Sequence, residues 1–293
     1  QEKKVKKIGF VHLLPEDHPF ITEMIKNGQK TAERYGYEFL VNCPEAGAQR
    51  FERQIEKIRE LETKGINYLI LTPADSERFV SVINELDEKG VKTICIDSDC
   101  PNSKRLSFIG TDNYAAGIKM GEVIAKHLKN KEKGDVIISM TDRNRTNMVE
   151  RLTGVEDELK KHKNLKIIAM DYGKINTTDR IKNLEELVRK YPHFDLMAGL
   201  DAHFCEMVEI LKKKCNLTDK IFIGFDNIPK NIELLEKGVV DAIVAQRQEL
   251  FTNIAIRKIY SYEAGNPETG VELLDTYEIN KINVGALLAL KKE

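Results

Sequence analysis

The chain has 293 residues, 46 lysines and arginines against 47 aspartates and glutamates, and a net charge of −1. At 41% hydrophobic and 32% charged it is ordinary globular material, long enough for two modest cores or one large one. Balanced charge offers no counterion release to drive nucleic-acid binding, and apolar runs such as "NYLILT" fall far short of a bilayer span.

The opening "QEKKVKKIGF" lacks an initiating methionine and a signal peptide, as does a processed exported protein or one trimmed for expression; compartment is not read from it. "KKIGFVHLL" reads as a strand. Ile21, Met24, Ile25, Gly28, Ala32 and Tyr35 then share one helical face. "YEFLVNC" is the next strand, followed by a helix marked by Phe51, Ile55, Ile58 and Leu61 and stopped at Gly65. "INYLILTP" precedes a helix carrying Phe79, Val82, Ile83 and Leu86, with Asp75 or Ser76 as its cap and Gly90 at its end. "VKTICID" completes the series.

After Gly110 the alternation starts again. "GDVIISMTD", "LKIIAMDYG", "FDLMAGLDA" and "KIFIGFDN" read as strands. Between them lie helices through "TNMVERLTGVEDELKKH", through Ile181, Leu184, Leu187 and Val188, and from Met207 to Leu211. "VDAIVAQRQ" follows, then a helix with Leu250, Ile254 and Ile259, and a tail after Gly270 too short for a third domain.

Short apolar strands separated by amphipathic helices predict an α/β fold of two doubly wound parallel-sheet lobes, each covered on both faces. No Pro/Gly/Ser-rich linker divides them, which predicts several short crossings, a hinge and a ligand cleft between the lobes. The expected N-terminal lobe is 1–112 plus 247–276, and the C-terminal lobe 113–246 plus 277–293. In open parallel sheets ligands bind at the carboxyl edge, where His18, Phe20, Thr72 and Asp97 recur as strands give way to helices. Three strands end in acids: Asp97, Asp201 and Asp226. A carboxylate left unpaired there would be costly, so the acidic tips look like one site assembled from separate pieces of chain.

Five cysteines form no CxxC pair, so neither a zinc site nor a complete disulfide framework is expected. Most read as small buried hydrophobes. No Gly-rich phosphate loop, GxSxG nucleophile or set of metal ligands is visible; no enzyme, metal or cofactor is expected.

The segments "PFITEMIKNGQKTAERYGYEF", "LILTPADSE", "TICIDSD", "VERLTGVED", "IFIGFDNIP" and "AIVAQ" come in the order and rough spacing of a known family. From Ile8 to about Lys281 the chain resembles the ribose-binding-like branch of periplasmic sugar-binding proteins. That type I periplasmic binding fold is shared with the effector domains of LacI-type repressors. The resemblance implies a bilobal protein that closes on a monosaccharide. Carried over residue by residue, it implies contacts from His18, Phe20, Thr72 and Asp97 in the first lobe. In the second it implies Asn147, Arg151, Asp201 and Asp226, with Gln246 at the hinge.

Departures from the ribose pattern fall at His18, Ile21, Thr72, Ser98 and Thr178. They put ribose itself in doubt and make a pentose such as D-xylose the first guess. The implied partners are a membrane ABC permease or a sensor histidine kinase, outside the cytoplasm, with the chain itself monomeric and free of nucleic acid. The alternative function is the effector domain of a LacI-type repressor.

The chemistry of the residues agrees. Sugar hydroxyls both donate and accept, which suits carboxylates, an arginine fork and an amide, while C–H faces suit Phe20. Plainer readings stand beside these. Asp226 could cap the helix that "DNIPKN" begins, Arg151 could be a surface arginine, and His18 could be simply exposed. Phe20 could be ordinary core, and Asp97 with Asp99 could pass for an acid/base pair.

Overall fold

The computed structural model describes residues 4–141, 143, 145–172 and 177–290. Asp142 and Gly173, which end two of the strands read from sequence, lie outside them. In chain order the elements are β1 (Lys7–Val11), α1 (Pro19–Tyr35), β2 (Glu38–Val41), α2 (Arg50–Thr63), β3 (Tyr68–Leu71), α3 (Phe79–Glu88), β4 (Lys92–Ile96) and β5 (Ser107–Thr111). Then come α4 (Asn113–His127), β6 (Gly134–Met140), α5 (Thr146–Leu159), β7 (Leu165–Tyr172), α6 (Thr177–Lys190), β8 (Leu196–Gly199), α7 (Phe204–Lys214) and β9 (Ile221–Phe225). Last are α8 (Pro229–Glu236), β10 (Ala242–Ala245), α9 (Phe251–Glu263), β11 (Gly270–Leu274), β12 (Tyr277–Asn280) and α10 (Val284–Leu290). The chain divides into two compact units, 1–111 with 247–274 and 112–246 with 275–293.

The first unit holds a parallel sheet in the order β11-β5-β4-β3-β1-β2. Every residue of β3 is buried, as a strand covered on both faces requires. Burying each large aliphatic side chain there contributes about 1.5–3 kcal/mol. Helix α1 starts with His18 at the N-cap and Pro19 at its first position, and ends on Gly36 at φ 80°. Helix α3 begins at Phe79, later than its sequence signal, because Asp75 accepts from the Glu77 and Arg78 amides in a preceding turn. Strand β5 was not foreseen. Its "SFIGT" is polar for a central strand, and its place comes from partners on both sides, β4 and β11.

The second unit repeats the plan, β12-β10-β9-β8-β6-β7. Its order β10-β9-β8-β6-β7 mirrors β5-β4-β3-β1-β2, so β9 corresponds to β4 and β6 to β1. The difference is at the edge, where β12 stands in the place of β11 but pairs antiparallel, with β10. Tyr277 opens β12 opposite Ala245 at the carboxyl end of β10, so β12 can only run back down the sheet.

Two glycines bring α4 and α5 into backbone contact. A Cβ on Gly117 would lie 2.0 Å from the Arg151 carbonyl oxygen, and one on Gly154 2.2 Å from that of Tyr114. Only a bare Cα fits, and this approach sets the height of Arg151 on α5. Gly154→Ala should force the helices apart and cost about 1–3 kcal/mol, the usual penalty of overpacking. Urea unfolding measures it; an unchanged midpoint would contradict the close fit.

Candidate functional site

In the first unit the carboxyl edge is built from the tips of β1, β3 and β4. Asp97 follows β4 with φ 65°, and its amide donates to the Ile109 carbonyl at 2.9 Å. The Ser98 amide closes a three-residue turn onto the Ile96 carbonyl at 2.7 Å. Such tight turns with positive φ are rare and strained in a non-glycine residue, and strain of this kind concentrates at functional positions. The carboxylate remains 26% exposed. Asp99 is tied elsewhere, accepting from two guanidinium nitrogens of Arg105 and from the Cys100 amide. That pairing removes Asp99 as an acid/base partner of Asp97.

His18 is half-buried at the N-cap of α1, where its Nδ1 accepts from the Phe20 amide at 3.2 Å. Phe20 lies on the buried stripe of α1, edge-on to His12 with centroids 6.4 Å apart. Thr72 is buried, and its hydroxyl donates to the Ile96 carbonyl at 2.9 Å. Its own carbonyl accepts from Gln54 Nε2 at 2.7 Å. Thr72 thus fastens β3 to β4. His12, which the sequence reading passed over, is fully buried at the tip of β1 with its Nε2 3.6 Å from Asp97 Oδ2.

In the second unit Asp226 follows β9 with φ 71°, and its amide donates to the Val244 carbonyl at 2.9 Å. Asp97 and Asp226 therefore occupy the same position in the two repeats, with the same backbone strain. Gln246 Nε2 donates to Asp226 Oδ1 at 2.7 Å, and both residues are buried. Asn231 holds the turn by donating to the carbonyls of Ala202, Phe225 and Asp226, each at 3.0 Å. Asp226 does not cap α8; Ile228 stands at that N-cap, with no side-chain capping bond.

Arg151 is buried, not a surface residue. Its guanidinium carbon sits 4.0 Å from the centroid of Phe225, Nη1 donates to the Leu200 carbonyl at 2.7 Å and Nε to Asn113 Oδ1 at 2.9 Å. Asn147, half-buried one turn earlier on α5, accepts from the Met148 amide. Arg151, Phe225, Asp226 and Gln246 form one group at the edge where β8, β9 and β10 end.

Asp201 belongs to a different arrangement. Its two oxygens accept from Arg180 Nη1 and Nη2 at 3.1 and 3.0 Å, and Oδ1 also accepts from the His203 amide. Arg180 Nη2 donates in turn to the Ser139 hydroxyl, which donates to Asp171 Oδ2, both at 2.9 Å. All four residues are buried. The third acidic tip is thus turned inward to neutralise an arginine, because an unpaired buried charge is far costlier than a paired one. The signal was in "DRIK": Arg180 lies on the stripe of Ile181, Leu184 and Leu187, where a lone cation needs a buried counter-charge.

Burial pushes the Asp171 carboxyl above its ordinary range, although Ser139 and Arg180 pull the other way. A raised folded pKa favours the protonated form. Its stabilising contribution is complete below the unfolded value of about 3.9 and is lost as pH rises through the folded value. Wild type should therefore gain stability relative to Asp171→Asn as pH falls from 7 toward 4. Parallel melting curves at several pH values measure this, and a pH-independent difference would contradict it.

All five cysteines are free; Cys43, Cys95, Cys100 and Cys205 are buried and Cys215 half-buried.

The sequence model of the periplasmic binding protein domain matches residues 8–267. A D-ribose/D-allose-binding protein from Pseudomonas aeruginosa is 24% identical over 200 residues, 66% of this chain and 62% of that protein. A ribose import binding protein from Bacillus subtilis is 22% identical over 241 residues, 82% of this chain and 76% of that one. Among solved structures, a solute-binding protein of an ABC transporter from Burkholderia graminis, in complex with D-arabinose, has the same fold. It superposes with a TM-score of 0.83 at 20% identity, covering 97% of each chain.

Proposed function

This chain belongs to the periplasmic binding protein family, and we propose that it captures a monosaccharide, a pentose such as D-xylose being the first candidate. The observation that carries the reading is the matched pair of strained acids, Asp97 and Asp226, at equivalent carboxyl edges of the two units. Around Asp226 stand an amide, an arginine and an aromatic ring, the groups that sugar hydroxyls and C–H faces require. The names of the ribose-binding relatives support a sugar ligand and delivery to a membrane importer outside the cytoplasm. A sensor histidine kinase is the other receiver the reading allows. No chemical reaction is part of the proposal.

In this reading the two units are lobes that both contact the sugar, His18, Phe20 and Asp97 from one and Asn147, Arg151, Asp226 and Gln246 from the other. Binding then closes the lobes, since neither alone satisfies the ligand. A thermal-shift screen of about a dozen monosaccharides tests it, because a ligand selective for the native state raises the melting temperature by mass action. With the best sugar at saturation, small-angle scattering should give a smaller radius of gyration. An unchanged radius would count against closure, and a flat screen against sugar binding itself.

A further inference from the structure

We infer that His12 is a ligand-binding residue. It works with Asp97 to select a hydroxyl that accepts a hydrogen bond from the imidazole and donates one to the carboxylate. The inference deepens the sugar reading and rests on it. Three observations carry it. His12 is fully buried at the tip of β1, its ring near those of Phe10, at a centroid distance of 6.3 Å, and Phe20, at 6.4 Å. Its Nδ1 accepts from the Leu14 amide at 3.0 Å, which places the ring proton on Nε2. That Nε2 is buried and has no hydrogen-bond partner among the described residues.

A buried donor left unmade is costly, and native structures rarely tolerate one without a reason. Here Asp97 Oδ2 stands 3.6 Å away, too far to bond. Both groups are fixed from behind, His12 by Leu14 and Asp97 by its strained turn. An oxygen to one side of the pair, about 2.8 Å from each, could accept from Nε2–H and donate to Oδ2. A hydroxyl does both, whereas an ether oxygen or a carboxylate can only accept. The ligand class is therefore a polyol with a free hydroxyl at this point, and a deoxy analogue there would leave His12 unsatisfied. His12 follows the apolar β1 as Asp97 follows β4.

The test uses the intact chain with D-xylose, D-ribose, D-allose and D-arabinose as probes. Nitrogen-15 chemical shifts of the His12 ring in the free protein should show the Nε2–H tautomer, and an Nδ1–H tautomer would overturn the inference. For the tightest-binding probe, His12→Phe should weaken affinity by about tenfold or more. His12→Gln, which restores an amide donor, should recover much of the loss, and it decides the matter should His12→Phe not fold. Affinity unchanged in His12→Phe, or in His12→Gln equal to a His12→Ala loss, would overturn the role of His12 and leave the sugar reading standing. Binding of none of the four probes to wild type would overturn both.

Discussion

Asp226→Asn should lower affinity for the bound sugar roughly ten- to a hundredfold or more while leaving the melting temperature nearly unchanged. Hydrogen bonds to a charged group are worth about 1.5–3 kcal/mol each, which converts to that range. Asparagine takes positive φ more readily than other non-glycine residues, so it suits the backbone at 71°. Alanine does not. Asp226→Ala should lose the same affinity and also lose stability of about 1–2 kcal/mol, the penalty of an ordinary L-residue in the left-handed region. The two variants together separate ligand contact from backbone strain. Calorimetric titration and melting curves on both measure it. Unaltered affinity in Asp226→Asn would remove Asp226 from the site.

Arg180→Met should destabilise the second unit by about 3–5 kcal/mol, the largest stability change expected of any single substitution discussed for this protein. Breaking a buried pair from one side leaves its counter-charge uncompensated, and here two remain, Asp201 and Asp171. Asp201→Asn keeps an acceptor for the arginine and should cost less. Neither change should touch sugar affinity beyond its effect on the folded fraction. Urea unfolding beside calorimetry checks this. A stability loss below about 1 kcal/mol for Arg180→Met would contradict the network, and an Asp201→Asn that binds poorly yet folds well would return Asp201 to the site.

Periodicity made the strand–helix alternation and the parallel sheets legible, because fully buried strands read as unbroken apolar runs. It missed β5, whose Ser107 and Gly110 are buried by neighbours that only the tertiary fold supplies. It also missed the reversed edge strand β12, since strand direction is set by where the chain enters the sheet. At the site, the sequence marked which strands end in polar residues. It could not say which way each side chain turns. Asp97, Asp201 and Asp226 look alike as letters, yet two sit on strained turns and the third is locked onto Arg180. Thr72 was named for its place after β3, and its hydroxyl serves the sheet. Those distinctions arise from partners distant in the chain, Gln246 for Asp226 and Ser139 for Arg180, so local pattern cannot carry them.

The central claim is that this chain binds one monosaccharide through its strand-tip acids, and isothermal titration tests it most directly. D-xylose, D-ribose, D-allose and D-arabinose would each be titrated into wild type and into Asp226→Asn. At least one should bind wild type saturably, one molecule per chain, with a heat signal lost or right-shifted at least tenfold in the variant. Heats no larger than dilution for all four sugars, or equal isotherms for the two proteins, would contradict the claim.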